Sequence, residues 1–343
     1  MPDLRDHTTL RLGGPAARWV TATTEAELVE AVLAADASGE PVLVLGGGSN
    51  LVVADDGFPG VVVEVATSGV VSDVEDGVSC GGVMVTVAAG ESWDALVATA
   101  VERGWVGIEA LSGIPGAVGA TPIQNVGAYG QEVSQTIASV RVWDRRLHGV
   151  RTFASADSGF GYRHSRFKAD PGRHVVLDVT FQLSQGTLGT SVGYAELARG
   201  LGVEVGERAP IADVRETVLG LRARKGMVLD AADHDTWSAG SFFTNPVVDT
   251  AAVPEGAPAW EQPDGRVKTS AAWLIEHAGF SKGYGLEQGA PASLSSKHTL
   301  ALTNRGGATT ADLLSLAREI RDGVEAAYGI GLVNEPVLVG CQL

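Results

Sequence analysis

Apolar residues recur at helical spacing in several segments of the chain. Thr24 and Glu27 have the spacing of a capping box at the start of a helix that runs to about Ala37. Amphipathic helices are also predicted over Ile211–Arg224 and over Thr310–Tyr328, and we expect Thr310 to be the N-cap of the latter. Two shorter helices are predicted over Ser92 to about Glu102 and over Ala271–Ala278.

Short apolar runs between these helices, most of them rich in valine, predict strands. They lie at Val42–Leu45, Val61–Val65, Val83–Ala88, Ser139–Trp143, Val175–Leu183, Thr299–Thr303 and Pro336–Val339. The opening of the chain therefore has an α/β pattern, whereas residues 70–184 indicate a mixed or antiparallel sheet. Residues 186–205 are predicted to form a loop or flap around Tyr194, and residues 226–262 to be mainly loop. The predicted fold class is α+β.

Two glycine-rich segments interrupt this pattern. The first glycine loop, Gly46–Asn50, directly follows a predicted buried strand, where α/β sheets usually bind ligands. The second glycine loop, Gly113–Gly130, holds five glycines, two prolines and almost no charge. Bare backbone lets N–H and C=O groups approach a flat or phosphorylated ligand closely. A buried crossover loop is the alternative, and ligand binding is favoured because long ordered loops are usually functional.

Composition narrows the function classes. The chain has 343 residues and a formal net charge of −16, so no nucleic-acid partner is expected. Its two cysteines, Cys80 and Cys341, form neither a metal-ligand cluster nor a disulfide framework. No apolar run approaches the ~20 residues of a membrane helix, and the N-terminus lacks an apolar signal segment. We therefore expect a cytoplasmic protein with no membrane partner and no bound metal.

The sequence lacks the best-known nucleotide and hydrolase motifs. It contains no G-x-G-x-x-G and no G-x-x-x-x-G-K-[ST], which disfavours a dinucleotide Rossmann domain and a P-loop. It also contains no G-x-S-x-G and no H-E-x-x-H. The two glycine loops therefore match neither the Rossmann motif nor the P-loop motif.

Five motifs in order resemble the UDP-N-acetylenolpyruvoylglucosamine reductase family, over essentially the whole chain. They are Leu45–Asn50, Ile114–Gly116 continuing through Pro122–Gly130, Phe160–Ser165, Ala239–Pro246 and Asn334–Pro336. A sixth segment, Gly193–Leu197, matches the tyrosine-bearing loop that distinguishes one of the two family types. Trp260 departs from the family, whose members often carry tyrosine there.

The resemblance implies a two-subdomain FAD-binding domain of the vanillyl-alcohol-oxidase type plus a smaller α/β substrate-binding domain. The boundaries implied are 1–66 and 67–225 for the two FAD-binding subdomains and 226–335 for the substrate-binding domain. Residues 336–343 would form a C-terminal strand that returns to the FAD-binding part.

The resemblance also implies a reaction. NADPH as co-substrate reduces a non-covalent FAD, and the reduced flavin then delivers hydride to the vinyl carbon of an enolpyruvyl UDP-sugar. The product is UDP-N-acetylmuramate, a peptidoglycan precursor. A monomer is expected.

Three catalytic residues follow from the resemblance. The guanidinium of Arg163 can hold the substrate carboxylate in a bidentate pair as negative charge develops there. Glu335 would lie beside that carboxylate, so it must be protonated or bridged. Ser241 is the expected proton donor, although a hydroxyl is a weak acid that needs a relay or a stabilised alkoxide. Taken singly, a surface ion pair, a solvated strand-end glutamate and a capping or turn serine are the alternative interpretations.

The resemblance assigns the remaining candidates to cofactor and substrate. Tyr129 is the side chain expected to face both FAD and substrate. The predicted cofactor-binding residues are Gly46, Gly47, Gly48, Ser49, Asn50, Gly113, Ile114, Pro115, Gly116, Gly119, Asn125, Gly127, Ala128 and Tyr129. The predicted substrate-binding residues are Tyr129, Tyr194, Lys225, Asn245 and Lys268.

Two other functions share part of this pattern. A flavin-dependent oxidase or dehydrogenase acting on an alcohol would have similar glycine loops, but the Ser241 and Glu335 segments favour the reductase. A non-catalytic sugar-nucleotide binder would leave those loops without flavin, so a bound-cofactor assay separates it from the enzymes.

Overall fold

A computed structural model describes residues 2–73 and 82–343, and Cys80 lies outside these residues. The strands are β1 (Ala16–Ala22), β2 (Val42–Leu45), β3 (Leu51–Val53), β4 (Phe58–Val65), β5 (Val70–Ser72), β6 (Val83–Ala88), β7 (Trp105–Val106), β8 (Gly127–Ala128), β9 (Gln131–Glu132), β10 (Ile137–Asp144), β11 (Gly149–Ala154), β12 (His174–Gln185), β13 (Val247–Val248), β14 (Ala259–Glu261), β15 (Val267–Thr269), β16 (Ala292–Leu294), β17 (Leu302–Asn304) and β18 (Val337–Val339). The α-helices are α1 (Glu25–Ser38), α2 (Trp93–Glu102), α3 (Thr121–Gln124), α4 (Arg166–Ala169), α5 (Ala195–Leu201), α6 (Ile211–Arg224), α7 (Ala271–His277) and α8 (Thr310–Tyr328). None of the described helices is both long and apolar enough to span a membrane.

The chain divides into two compact units. The larger unit comprises the described residues of Ala17–Gly47 and Pro59–Ala223, and the smaller unit those of Met1–Ala16, Gly48–Phe58 and Arg224–Leu343. The predicted boundaries at residues 66 and 335 have no counterpart in this division. Segments near the N-terminus group with the C-terminal part because β3 pairs in parallel with β18.

The larger unit is built around two sheets. Strands β1, β4 and β2 form the first sheet in that order, and β2 runs parallel to β4. Helix α1 begins at Thr24 with the predicted capping box. The second sheet has the order β11-β10-β12-β6-β5, and β7 also pairs with β12. In β6, Val83, Val85 and Val87 are buried, as the period of two in a strand requires.

Helices α5 and α6 form a separate small hydrophobic cluster within the larger unit. Residues 186–205 are not only the predicted loop, because α5 begins directly after Tyr194. Leu197 of α5 and Val214 and Val218 of α6 pack together in a buried cluster that also includes Ala110. The apolar positions of α5 are too few for sequence periodicity to reveal a helix, so its packing against α6 is what stabilises it.

Helix α8 anchors the core of the smaller unit, where Leu313, Ala317 and Ile320 are buried. Its N-cap is Thr309 and not the predicted Thr310, because the Thr309 hydroxyl accepts from the amide of Asp312. Thr310 lies inside the helix, and its hydroxyl donates to the Val53 carbonyl.

Two other predictions for the smaller unit need correction. The predicted strand at Thr299–Thr303 is β17, which starts later because Ala301 closes a turn onto His298. Within the predicted loop 226–262 lie β13 and β14, which flank β15 in a three-stranded antiparallel sheet. These strands of two or three residues are too short for sequence periodicity to identify.

Candidate active site

The two glycine loops meet within the larger unit. A Cβ atom at position 47 would lie 2.6 Å from the Cα of Gly116 and 3.3 Å from the amide nitrogen of Ala117. Only glycine allows this approach, so main chain packs against main chain with no side chain between the loops. This contact lies at the carboxyl end of β2 in a parallel β2–β4 pair, the usual ligand-binding end of such strands.

Two backbone amides of the second glycine loop donate hydrogen bonds to other residues of the protein. The amide of Gly113 donates to Asp94 Oδ1 at 2.6 Å, and the amide of Gly119 donates to the Ala89 carbonyl at 2.8 Å. These two N–H groups therefore hold the loop in place, which differs from their predicted role as donors to the cofactor.

Asp94 fixes the start of that loop. Burial opposes the charge on Asp94, but Arg215 donates to both carboxylate oxygens at 2.7 and 3.0 Å. Together with the Gly113 amide, this pairing leaves the pKa of Asp94 below its ordinary value. Sequence reasoning missed Asp94, although an acidic residue in the first turn of α2 was a usable signal.

Arg163 lies against the second glycine loop in the larger unit. It occupies the turn that Gly161 and His164 close through two backbone hydrogen bonds, and its φ of 52° is left-handed. Its guanidinium donates from Nη2 to the Gly127 carbonyl at 2.8 Å and from Nη1 to the Asn125 carbonyl at 3.4 Å. The structure thus brings the predicted catalytic arginine to predicted cofactor-binding residues.

Asn125 holds the Arg163 turn to the loop. It is buried and left-handed, and its side-chain amide donates to the Gly161 carbonyl at 2.9 Å and to Glu132 Oε2 at 3.0 Å. Its side-chain oxygen accepts from the Ser134 amide at 3.2 Å. With all these groups engaged, the Asn125 side chain positions the arginine turn and does not offer a further amide donor to a cofactor.

The two predicted substrate tyrosines touch each other. The rings of Tyr129 and Tyr194 meet edge to face, with centroids 5.6 Å apart, and Tyr194 is 45% exposed. Arg222 lies near Tyr129. Burial lowers the pKa of Arg222, and the nearby Tyr129 and Asp94 oppose that effect. Arg222 belongs to the larger unit, whereas Lys225, a predicted substrate ligand, belongs to the smaller one.

The segments that carry Glu335 and Ser241 are joined within the smaller unit. The amide of Glu335 donates to the carbonyl of Phe242, the residue after Ser241, at 2.8 Å. The Asn50 side-chain amide donates to the Glu335 carbonyl at 3.4 Å, and the Asn50 carbonyl accepts from Val337 at 2.9 Å. The end of the first glycine loop is therefore joined to the predicted catalytic glutamate.

The rest of the first glycine loop in the smaller unit packs on the N-terminal segment. Gly48 is left-handed, and a Cβ there would overlap the His7 carbonyl oxygen. The Thr9 hydroxyl donates to the carbonyls of Ser238 at 2.7 Å and Ser49 at 3.4 Å. This threonine thus links the loop to the segment that carries Ser241.

The other predicted substrate ligands lie in the smaller unit. Asn245 caps α7, because its side-chain oxygen accepts from the Ala271 amide at 2.9 Å. Lys268 is half-buried on β15 and lies directly opposite Trp260 of β14, which is 49% exposed. Directly opposed residues share a face of the sheet, so the departure at Trp260 affects the surroundings of Lys268.

Among the described residues, no group of three or more histidine, cysteine, aspartate or glutamate side chains is arranged so that it could hold a metal ion.

Comparison with known proteins identifies the family. A family model for an FAD binding domain matches residues 16–147, and one for the UDP-N-acetylenolpyruvoylglucosamine reductase C-terminal domain matches residues 232–339. A UDP-N-acetylenolpyruvoylglucosamine reductase of Cutibacterium acnes is 62% identical over 336 residues, covering 98% of this chain and 89% of the relative. The chain belongs to the UDP-N-acetylenolpyruvoylglucosamine reductase family.

Further relatives agree with this family. The Streptomyces avermitilis reductase is 58% identical over 353 residues, covering 98% of this chain and 93% of the relative. The crystal structure of the Thermus caldophilus reductase matches with a TM-score of 0.65 at 27% identity, covering 98% of this chain and 97% of that one. The predicted family and the predicted α+β class with an FAD-binding domain are thereby confirmed.

The residues present fit a flavin nucleotide. Gly47 is exposed and Gly46 and Gly116 are half-buried near the carboxyl end of β2, and the matched FAD binding domain contains both glycine loops. Main-chain amides in such a loop suit a dinucleotide pyrophosphate. The donors that FAD would use are those outside the Gly113 and Gly119 amides, which the protein itself engages.

Proposed function

We propose that this chain catalyses the NADPH-dependent reduction of UDP-N-acetylenolpyruvoylglucosamine to UDP-N-acetylmuramate with a non-covalent FAD. The observation that carries the proposal is the hydrogen bond from Arg163 to the Gly127 carbonyl, 2.8 Å long, within the larger unit. This bond holds the permanent positive charge of Arg163 against a loop of the FAD-binding domain. The chain that carries this domain belongs to the reductase family. When bound, FAD supplies the hydride chemistry by accepting hydride from NADPH and transferring it to the substrate's vinyl carbon.

Arg163 is proposed to bind the substrate carboxylate. Hydride addition to an enol ether is unfavourable unless the adjacent carboxylate can take up negative charge. A guanidinium already oriented by two main-chain carbonyls needs little reorganisation as that charge develops. Arg163 therefore acts by electrostatic stabilisation at the carboxylate.

Ser241 is proposed to protonate the carbon next to the one that receives hydride. Its neighbour Phe242 accepts from the Glu335 amide, so the serine segment is tied to the glutamate that we propose as second partner of the substrate carboxylate. A main-chain tie of this kind restrains the backbone that carries the hydroxyl, and a weak acid needs such positioning to transfer its proton.

The remaining predicted ligands are proposed to bind the rest of the substrate. Tyr129 and Tyr194 would contact the sugar nucleotide through ring edges and hydroxyls, and Lys225 and Lys268 would contact its diphosphate. Asn245 would contribute its side-chain amide, because its oxygen already caps α7. We also propose that the protein is a cytoplasmic monomer.

The bound-cofactor state tests this proposal first. Protein as isolated should absorb near ~450 nm and release FAD on denaturation. It should oxidise NADPH when the enolpyruvyl UDP-sugar is added under anaerobic conditions. A colourless protein that cannot be reconstituted with FAD would point to a sugar-nucleotide binder. Rapid reaction of the reduced protein with oxygen, and none with this substrate, would point to an oxidase.

A further inference from the structure

A buried carboxylate outside the proposed catalytic set joins three segments of the larger unit. Glu109 is 1% exposed, and its Oε2 accepts from the Gly107 amide at 2.6 Å. Its Oε1 accepts from the side-chain amide of Gln131 at 3.0 Å and from the backbone amide of Thr190 at 3.0 Å. All of these partners are donors, so two acceptor oxygens match the surroundings of Glu109 and a side-chain amide would not.

Gln131 completes the network and fixes its direction. Its side-chain oxygen accepts from the Ala110 amide at 2.8 Å, which turns its NH₂ group toward Glu109. The same NH₂ group donates to the Thr190 hydroxyl at 2.8 Å. Gln131 is itself buried, so both ends of its side chain are used inside the protein. Buried networks that are fully bonded fix one arrangement of the segments they join.

The joined segments carry the two touching tyrosines. Gln131 lies two residues after Tyr129, and Thr190 lies four residues before Tyr194. Gly189 packs so closely on the network that a Cβ atom there would lie 2.7 Å from Glu109 Oε1. The carboxylate therefore sets the distance between the chain segments whose tyrosine rings meet edge to face.

The outer side of the Tyr194 segment is held by a separate set of bonds. Gly189 donates to the Ala209 carbonyl at 2.8 Å, and the Ser191 hydroxyl donates to the Gly206 carbonyl at 2.7 Å. These bonds tie residues 189–191 to residues 206–209, not to the Tyr129 segment. A change in the Glu109 network can therefore be separated from a general loosening of the loop.

We propose that Glu109, acting through Gln131 and Thr190, is a positioning residue that fixes Tyr194 against Tyr129 and thereby sets the affinity for the UDP-sugar substrate. This inference rests on the proposed function, in which both tyrosines bind that substrate. Glu109 touches neither cofactor nor substrate in this scheme. Its effect should therefore appear in substrate binding and leave flavin reduction by NADPH unaltered.

Two variants of Thr190 test the proposal with little change of shape. Thr190→Val removes the hydroxyl that accepts from Gln131, and Thr190→Ser keeps it while removing the methyl group. We expect the valine variant to raise KM for UDP-N-acetylenolpyruvoylglucosamine roughly tenfold, because a buried amide loses its partner. The serine variant should retain the wild-type KM. The flavin reduction rate with NADPH should be the same in both variants and in the wild type.

Glu109→Gln and Ser191→Ala extend the test. The glutamine would point an NH₂ group at another N–H donor, so it should raise the substrate KM at least as much as Thr190→Val. The alanine removes the outer hydroxyl bond and should leave the substrate KM unchanged. Amide hydrogen exchange of residues 187–201 in the substrate-free holoprotein should be faster than in the wild type for Thr190→Val and unchanged for Thr190→Ser.

The outcomes separate this inference from the proposed function. Wild-type protein that does not turn over the enolpyruvyl UDP-sugar would overturn the proposed function, whatever the exchange experiment shows. Active wild-type protein with equal substrate KM values in Thr190→Val and Thr190→Ser would overturn the positioning role. A loss of NADPH-dependent flavin reduction equal to the loss of substrate binding would also overturn it, because it would mark a purely structural defect.

Discussion

The backbones of Gly47 and Gly116 lie in direct contact, so close that a methyl group on Gly47 would come within 2.6 Å of the Gly116 Cα. This contact joins the two glycine loops that the sequence placed some seventy residues apart. The atoms in conflict belong to the main chain, so no side-chain rotation relieves the overlap. Glycine at position 47 is thus required by the contact itself.

Gly47→Ala should reduce the amount of FAD that the protein binds. Separating the loops would displace the main chain that we propose to hold FAD, so the flavin-to-protein ratio should fall well below that of the wild type. Gly149→Ala is the matched control in the same unit, because its new Cβ would meet nothing nearer than 3.8 Å. The absorbance ratio of flavin to protein after purification measures both. Full flavin content in Gly47→Ala would show that the loop contact does not shape the cofactor site.

Arg163→Lys should impair the step that involves the substrate carboxylate. Both residues tolerate the left-handed backbone at this position equally, so the change tests the guanidinium and not the turn. Lysine cannot bond two carbonyls and a carboxylate in one plane, and losing such a preorganised donor slows a reaction about 100-fold. Stopped-flow measurement of flavin reoxidation by the enolpyruvyl UDP-sugar measures this loss. Reoxidation at the wild-type rate would remove Arg163 from the catalytic set.

Ser241→Ala should separate the two half-reactions. Removing the hydroxyl should slow reoxidation of the reduced flavin by substrate far more than reduction of the flavin by NADPH, since only the former needs the proton. Both rates come from rapid mixing of the same preparation, so each serves as the control for the other. Equal slowing of the two half-reactions would contradict the proposed proton transfer.

Asp144→Asn should reveal a pH-dependent contribution to stability. Arg173 donates to both oxygens of this buried carboxylate, and the amides of Arg146 and Leu147 add two more bonds. The Arg173 guanidinium, followed by these amides, lowers the pKa of Asp144 to about 2. The folded state therefore favours the charged form. The stabilisation is present above pH ~4, where an unfolded aspartate is ionised, and is lost as pH falls toward about 2.

Urea unfolding of wild type and Asp144→Asn across this range measures the effect. The variant should have the lower free energy of unfolding at pH 7, and the gap should narrow between about pH 4 and about pH 2. Asp264→Asn is the control, since Asp264 and Arg266 form an exposed ion pair that contributes little. A gap that stays constant down to pH ~2 would show that hydrogen bonding, and not the charge of Asp144, stabilises this region.

The bounds of the long amphipathic helices could be predicted from the sequence. Helix α6 and the extent of α8 match their predicted bounds because apolar spacing over several turns leaves little choice. The predicted N-cap of α8 was wrong by one residue because two threonines stand side by side. The Thr309 hydroxyl accepts from the Asp312 amide, whereas the Thr310 hydroxyl donates to the Val53 carbonyl. The bond to Val53 joins residues 257 positions apart, and a local sequence pattern does not reveal such a contact.

The sequence predicted those site residues that belong to a family motif. It did not predict the residues whose role depends on contacts between distant parts of the chain. The family motifs pointed to Arg163, Ser241 and Glu335, yet nothing in them showed that Asn50 bonds to Glu335. Glu109 was equally hidden, because one acidic residue in an apolar run looks like a solvated side chain until its donors are known. Its exclusion from water depends on Gln131 and Thr190, which lie far along the chain.

A single anaerobic turnover tests the proposed reaction most directly. Holoprotein reduced with one equivalent of NADPH is mixed with UDP-N-acetylenolpyruvoylglucosamine, and the flavin absorbance near ~450 nm is followed while the products are analysed. We predict that the flavin reoxidises without oxygen and that one UDP-N-acetylmuramate forms for each flavin. A flavin that stays reduced until oxygen is admitted, with the UDP-sugar recovered unchanged, would contradict the assignment.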